Sequence, residues 1–285
     1  MRWQFGRKSS NVEDRRGRGG SGAVVGGGIG MFLLALVVTL LGGDPSLILD
    51  QVTTGSDPYN NPAQVAPAPP ADDETAKFVS VILGYTEDTW SQIFRESGSQ
   101  YINPKLVLFS GVVQSDCGTA ESAMGPFYCP LDQKIYIDTS FFQDMESELG
   151  APGDFAQAYV IAHEVGHHVQ NLLGISGQVQ ETQQRVGEAE ANQLSVRLEL
   201  QADCFAGVWG NRTQQAQKIL EQGDVEEALG AATAIGDDRL QKRARGYVVP
   251  DSFTHGSSEQ RVRWFTQGIK TGDPNECNTF DTRNL

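Results

Sequence analysis

The sequence predicts an α+β protein, mainly helical with a small sheet, set behind one transmembrane helix. Three observations carry that expectation. An uncharged stretch runs from Gly19 to Gly43. Apolar residues recur at three- and four-residue steps through much of the chain after Asp72. Only two short stretches there alternate as strands do.

From the N-terminus, residues 1–22 form a basic tail: Arg2, Arg7, Lys8, Arg15, Arg16 and Arg18 stand against Glu13 and Asp14, a local net of +4. Residues 23–43 form the span. Val24–Leu41 is almost wholly apolar or Gly, long enough to cross a hydrocarbon core of about 30 Å. The basic flank predicts a cytoplasmic N-terminus and a single pass through the cell membrane, with everything beyond it periplasmic or extracellular. A cleaved signal peptide is the alternative, but Gly42-Gly43-Asp44-Pro45 offers no small-x-small cleavage site. Residues 44–71 carry Pro45, Pro58, Pro62, Pro67, Pro69 and Pro70 and form an extended linker. Residues 72–285 are enough for one domain with a sizeable core, and no internal repeat is visible. Removing the N-terminal +4 from the total of −14 leaves −18 outside, which argues against nucleic acid and anionic lipid as partners.

Within the domain, Glu74–Leu83 and Glu87–Glu96 have helical patterns separated by Gly84. Lys105–Val113 and Lys134–Asp138 alternate as strands. Asp154 follows the breaker pair Pro152-Gly153 and can cap a helix. Phe155, Ala158, Tyr159, Ala162, Val165, Val169 and Leu172 give that helix one apolar face, and Gly174 stops it. Leu194, Leu198, Phe205 and Val208 mark another helix; Asp224–Ala234 and Ser258–Gly268 follow.

The first of these helices contains His163-Glu164-Val165-Gly166-His167-His168, with three of the four histidines of the chain. Helical residues four apart share a face, so His163 and His167 can aim at one metal ion. Glu164, about 100° further round, can take a proton from the attacking water. This is the arrangement of a zinc peptidase acting on a peptide or protein substrate. His168 points elsewhere and serves packing or supports the ligands from outside, and is not itself a ligand. A surface helix with two histidines is the bland alternative.

Catalytic zinc usually takes three protein ligands. Glu199 and Asp203 lie four apart among apolar neighbours, where two acids are costly to bury unless paired or coordinated. Zn2+ resolves that cost with Glu199 as third ligand and Asp203 accepting the spare N–H of a ligating histidine. A solvated acidic face is the competing reading.

H-E-V-G-H followed by an E-x-x-x-D helix resembles the gluzincins. The strings Ala158–Gln170, Ser195–Gly207 and Val249–Ser257 are similar to the bacterial neutral zinc metallopeptidases, membrane-anchored proteins with one catalytic domain. The resemblance implies a zincin-like (gluzincin) fold and a zinc site. In zincins an edge strand beside the active-site helix pairs with an extended peptide, and Gln133–Asp138 is the candidate here. The spacing of His255 to Arg261 is similar to the T-H-P-x-x-x-x-R element of integral-membrane gluzincins, with Gly256 in place of the proline. His255 is thus a candidate catalytic donor to the oxyanion or to the substrate backbone, against an inert turn histidine, and Tyr247 competes as oxyanion donor.

Four cysteines beyond the span favour two disulfides in an oxidising compartment. Of three pairings, the short loop favours Cys117–Cys129, leaving Cys204–Cys277; Cys204 as a zinc ligand is the competitor. Two functions follow: a zinc endopeptidase, or a membrane-tethered scaffold stabilised by zinc without turnover. The intact Glu164 favours the first, because a structural site needs no base.

Overall fold

The computed structural model describes residues 1–17, 73–282 and Leu285. The expected span 23–43 and linker 44–71 lie outside the described residues. Among those described, no helix is long and apolar enough to cross a membrane. In chain order the elements are β1 (Val12–Asp14), α1 (Glu74–Glu96), β2 (Lys105–Phe109), β3 (Val112–Ser115), β4 (Gly118–Glu121), β5 (Phe127–Cys129) and β6 (Lys134–Asp138). The helices α2 (Ser140–Ser147), α3 (Asp154–Leu172), α4 (Ile175–Gln183), α5 (Glu188–Gln217), α6 (Asp224–Ala234), α7 (Asp237–Arg245) and α8 (Ser258–Thr271) follow.

The fold is α+β, as expected. Its main sheet has the order β1-β2-β6-β5, with β1, β2 and β6 parallel and β5 antiparallel to β6. Alternation along β2 and β6 sends Leu106, Leu108, Ile135 and Ile137 into the core shared with the helices. Val107, Phe109 and Tyr136 pack on the opposite face against Val113 and Ala120 of the β3–β4 hairpin. Both disulfides form as favoured: Cys117–Cys129 ties that hairpin to β5, and Cys204–Cys277 ties the C-terminal segment to α5.

The edge assignment is corrected. The expected edge, Gln133–Asp138, includes β6, which is an interior strand; the edge is β5, only three residues long. β6 carries the stronger apolar signal because it is covered on both faces.

The separate basic tail is also corrected, because residues 1–17 are built into the domain. β1 pairs with β2, placing Glu13 opposite Val107. Met1 and Trp3 are buried in the core. The basic residues serve as internal partners: Arg7 pairs with Glu87 and Asp88 at 2.8 Å each, Arg15 with Glu13 at 2.7 Å, and Arg16 with both Asp14 and Asp73 at 2.6 Å. Glu87 also accepts from Ser9 Oγ at 2.5 Å and Asn11 Nδ2 at 2.7 Å. The expected break at Gly84 is absent for the same reason. The Arg7 carbonyl lies so close that a Cβ at Gly84 would sit 2.3 Å from its oxygen, so one continuous α1 runs beneath the N-terminal segment.

The start of α3 differs in detail from the expected cap. Gly153 holds the cap position. The Asp154 carboxylate instead receives the Met1 amino group at 2.7 Å, and Glu227 accepts from the Phe155 N–H at 3.1 Å. Glu227 therefore satisfies an orphan amide that Asp154 was expected to serve.

One sheet containing β1 and β2 requires residues 1–17 and the domain to share one face of any membrane. A single crossing between them would separate the paired strands. Single cysteines replacing the exposed Lys8 and Lys105 are therefore expected to react with an impermeant thiol reagent together, either both in intact cells or both only after lysis. Labelling of one before lysis and the other only after it would contradict the sheet in the membrane-associated protein.

Candidate metal centre

Two long helices cross closely to make the site. A Cβ at Gly166 of α3 would meet the Ala202 Cα and carbonyl oxygen of α5 at 3.0 Å, so glycine permits the approach. The crossing sets His163 and His167 against Glu199. His163 Nε2 lies 3.1 Å from Glu199 Oε2, and His167 Nε2 lies 3.4 Å from Glu199 Oε1. The three ligand atoms lie within 4.8 Å of one another. Tetrahedral ligands at zinc bond lengths of about 2.0–2.2 Å stand about 3.4 Å apart, so the spacing fits a zinc ion. The expected triad comes together.

The opposite ring nitrogens are held by the protein. His163 Nδ1–H donates to Asp203 Oδ1 at 2.8 Å, and His167 Nδ1–H donates to Gln170 Oε1 at 2.9 Å. Both Nε2 lone pairs are thereby directed at Glu199 and the metal position. Asp203 takes the expected position beside His163 and is fully buried. It also accepts from Tyr159 Oη at 2.5 Å, Arg261 Nε at 2.8 Å and Arg261 Nη2 at 2.9 Å. Arg261 was visible only as a spacing partner of His255. Its bidentate grip on Asp203 joins α8 to α5 across a sequence separation that leaves no local signal.

The electrostatics suit a cation. Burial alone would disfavour charged imidazoles, but Asp203 and Glu199 outweigh it and lift His163 to about 10. His167 is raised as well, because Glu199 overcomes its burial. Burial pushes Glu199 up, yet His167 and His163 hold it well below the usual carboxylate range. Glu164, 7% exposed, is shifted upward by burial, with His167 and His163 opposing. The negative field that draws protons to these rings also draws a divalent metal.

His255 rests beside this centre. Its turn lies on α5, where a Cβ at Gly256 would approach Leu200 and Val196 at 3.2 and 3.3 Å. Gly256 has φ +88°, which proline cannot adopt, so the turn departs from the T-H-P form. Asp237, at the start of α7, holds it: Oδ2 accepts from the backbone N–H groups of Thr254, His255 and Gly256 at 2.8, 2.7 and 3.1 Å. Its Oδ1 is 3.3 Å from His255 Nδ1. Burial would lower His255, but Asp237 and then Glu199 raise it. Its side chain remains 39% exposed, so it can meet a ligand. Sequence reasoning missed Asp237, whose nearest partner lies seventeen residues away.

Tyr247 is 60% exposed, with Arg245 over its ring at 5.2 Å, and no contact among the described residues links it to the triad. His168 is buried, as expected of a packing residue, between the Ile102 carbonyl at 2.7 Å and Tyr128 Oη at 3.0 Å. Cys204 is committed to its disulfide and cannot ligate.

The family model described as "Putative neutral zinc metallopeptidase" matches residues 1–280. The uncharacterized protein YpfJ of Escherichia coli (strain K12) is 55% identical over 285 residues, covering 98% of this chain and 99% of that protein. The uncharacterized protein Rv2575 of Mycobacterium tuberculosis (strain H37Rv) is 40% identical over 261 residues, 86% of each chain. No solved structure matches.

The chain should bind one zinc per molecule, and Glu199→Ala should lose most of that affinity. Metal analysis after gel filtration checks both. Stoichiometric, tight zinc in Glu199→Ala would remove Glu199 from the ligand set.

Proposed function

The chain belongs to the family described as "Putative neutral zinc metallopeptidase", and on that premise we propose that it is a zinc-dependent endopeptidase with Glu164 as its general base. The observation that carries this reading is a buried carboxylate one residue from His163, beside two imidazoles whose Nε2 atoms converge on Glu199. His163, His167 and Glu199 would hold zinc, which when bound would supply a Lewis acid for a peptide carbonyl and for water. Glu164 takes the proton of the attacking water and returns it to the leaving amine. Burial raises its proton affinity against the opposing pull of His167 and His163, which suits a group that must both accept and release a proton. His255, oriented by Asp237, donates to the oxyanion as the carbonyl becomes tetrahedral.

An extended peptide is the substrate that suits the flanking surface. β5 ends the sheet, antiparallel to its neighbour, and its outer main-chain groups can pair with a further strand. Tyr128 anchors β5 to α3, meeting His168 Nδ1 at 3.0 Å and accepting from Asn171 Nδ2 at 3.0 Å. The substrate would therefore lie along the outer edge of β5, beside the metal helix.

We also propose that the uncharged segment 19–43 associates the protein with a membrane while residues 1–17 and the domain share one face. The apolar length of that segment and the ion-paired state of Arg7, Arg15 and Arg16 support this reading. The two disulfides favour the exported, oxidising face.

Glu164→Gln keeps size and every proposed zinc ligand but removes the base. Peptide cleavage should fall toward the upper end of about 10²–10⁴-fold, with zinc content unchanged. His255→Ala should cost less, because other groups still polarise the carbonyl. Cleavage by Glu164→Gln at the wild-type rate would overturn the mechanism. Absence of cleavage by the zinc-loaded wild type across a broad peptide library would favour a scaffold.

A further inference from the structure

The two histidines of the triad are supported in different ways. His163 leans on the charged Asp203–Arg261 pair. His167 leans on a chain of neutral amides that runs away from the site. Gln170 accepts from His167 Nδ1 and donates through Nε2 to the Leu198 carbonyl at 2.7 Å and to Gln201 Oε1 at 3.1 Å. Gln201 Nε2 in turn donates to the Cys277 carbonyl at 3.0 Å. Gln170 and Cys277 are fully buried and Gln201 is 5% exposed, so water does not offer these groups alternative partners.

The polarity of this chain is forced. Backbone carbonyls only accept, so Leu198 and Cys277 require N–H groups to face them. Gln201 must turn its amino group to Cys277 and its oxygen to Gln170. Gln170 then has both N–H bonds engaged and only its oxygen left for His167. His167 Nδ1 must carry the proton, which leaves its Nε2 lone pair for a metal. Cys277 is fixed in place by its bond to Cys204, and Thr279, two residues on, donates through Oγ1 to the Arg197 carbonyl at 2.7 Å.

We propose that Gln170 and Gln201 are positioning residues that set the tautomer of His167 from an anchor at the Cys204–Cys277 disulfide. The C-terminal segment is thereby part of the metal site's support. Both cysteines are fully buried, so the bond acts as a permanent anchor and not as a redox switch. The proposal rests on the reading of His163, His167 and Glu199 as zinc ligands.

The test measures the zinc dissociation constant of the full chain by competition with a chromogenic chelator, alongside the metal-free melting temperature. Gln201→Met is near-isosteric and removes both polar links. Gln170→Met removes the group that touches His167, so zinc affinity should weaken by about 10–100-fold, the range for a lost outer partner of a metal ligand, and this variant stands in if Gln201→Met fails to fold. Gln201→Met, one bond further from His167, should weaken it in the same direction by several-fold. Cys204→Ser with Cys277→Ser should weaken zinc binding in the same direction. Thr89→Val breaks a buried 3.0 Å hydrogen bond to Thr213 that has no part in the relay, so it should lower the melting temperature and leave zinc affinity within a few-fold of wild type. Wild-type zinc affinity in both glutamine variants would overturn the relay. A wild-type chain that binds no zinc would instead overturn the reading of the site.

Discussion

A single fully buried carboxylate, Asp203, ties the structure together. It takes hydrogen bonds from Tyr159 and His163 of α3 and from Arg261 of α8, while itself belonging to α5. Burying such a charge costs several kcal/mol unless it is paired. Arg261 answers that cost, and losing either partner of such a pair typically costs about 3–5 kcal/mol. Three helices are therefore held in one register by one group. Glu199 sits one turn before Asp203, so the interaction that fixes His163 also brings Glu199 to the candidate metal centre. The metal position follows from that register.

Around this anchor, the remaining elements provide access and support. α7 begins with Asp237, whose carboxylate gathers the turn carrying His255 against α5. β5 is held beside α3 by Tyr128. The N-terminal segment closes the far side of the core, adding β1 to the sheet and covering α1. Its incorporation changes how the uncharged segment is understood. The chain leaves the domain near Arg16 and returns at Asp73, and those two residues are paired at 2.6 Å. Arg7, Arg15 and Arg16, which resembled part of a topological flank, are ion-pair partners of the fold.

What was legible in the sequence was what a helix encodes locally. His163, Glu164 and His167 declare their geometry through four-residue spacing, and Glu199 with Asp203 does so again on a second helix. The two disulfides followed from cysteine spacing and count. Arg261, Asp237 and Gln170 escaped assignment because their partners lie on other elements, and a polar side chain alone does not reveal whether it meets water or a buried carboxylate. β1 escaped because Val12-Glu13-Asp14 is short and mostly charged, and its strand character comes from pairing with β2. The edge was placed on β6 because burial on both faces gives an interior strand the stronger apolar signal, whereas the true edge has three residues. Gly84 looked like a break because its reason for being glycine, the Arg7 carbonyl, lies far away in sequence.

We propose that two imidazoles and one carboxylate, arranged around the buried Asp203, hold zinc without help from sulfur. X-ray absorption at the zinc edge of the full, zinc-loaded chain tests it most directly. The spectrum should show nitrogen and oxygen scatterers at about 2.0–2.2 Å, with more distant scattering from two imidazole rings. A sulfur scatterer at about 2.3 Å, or scattering from a single imidazole, would contradict it.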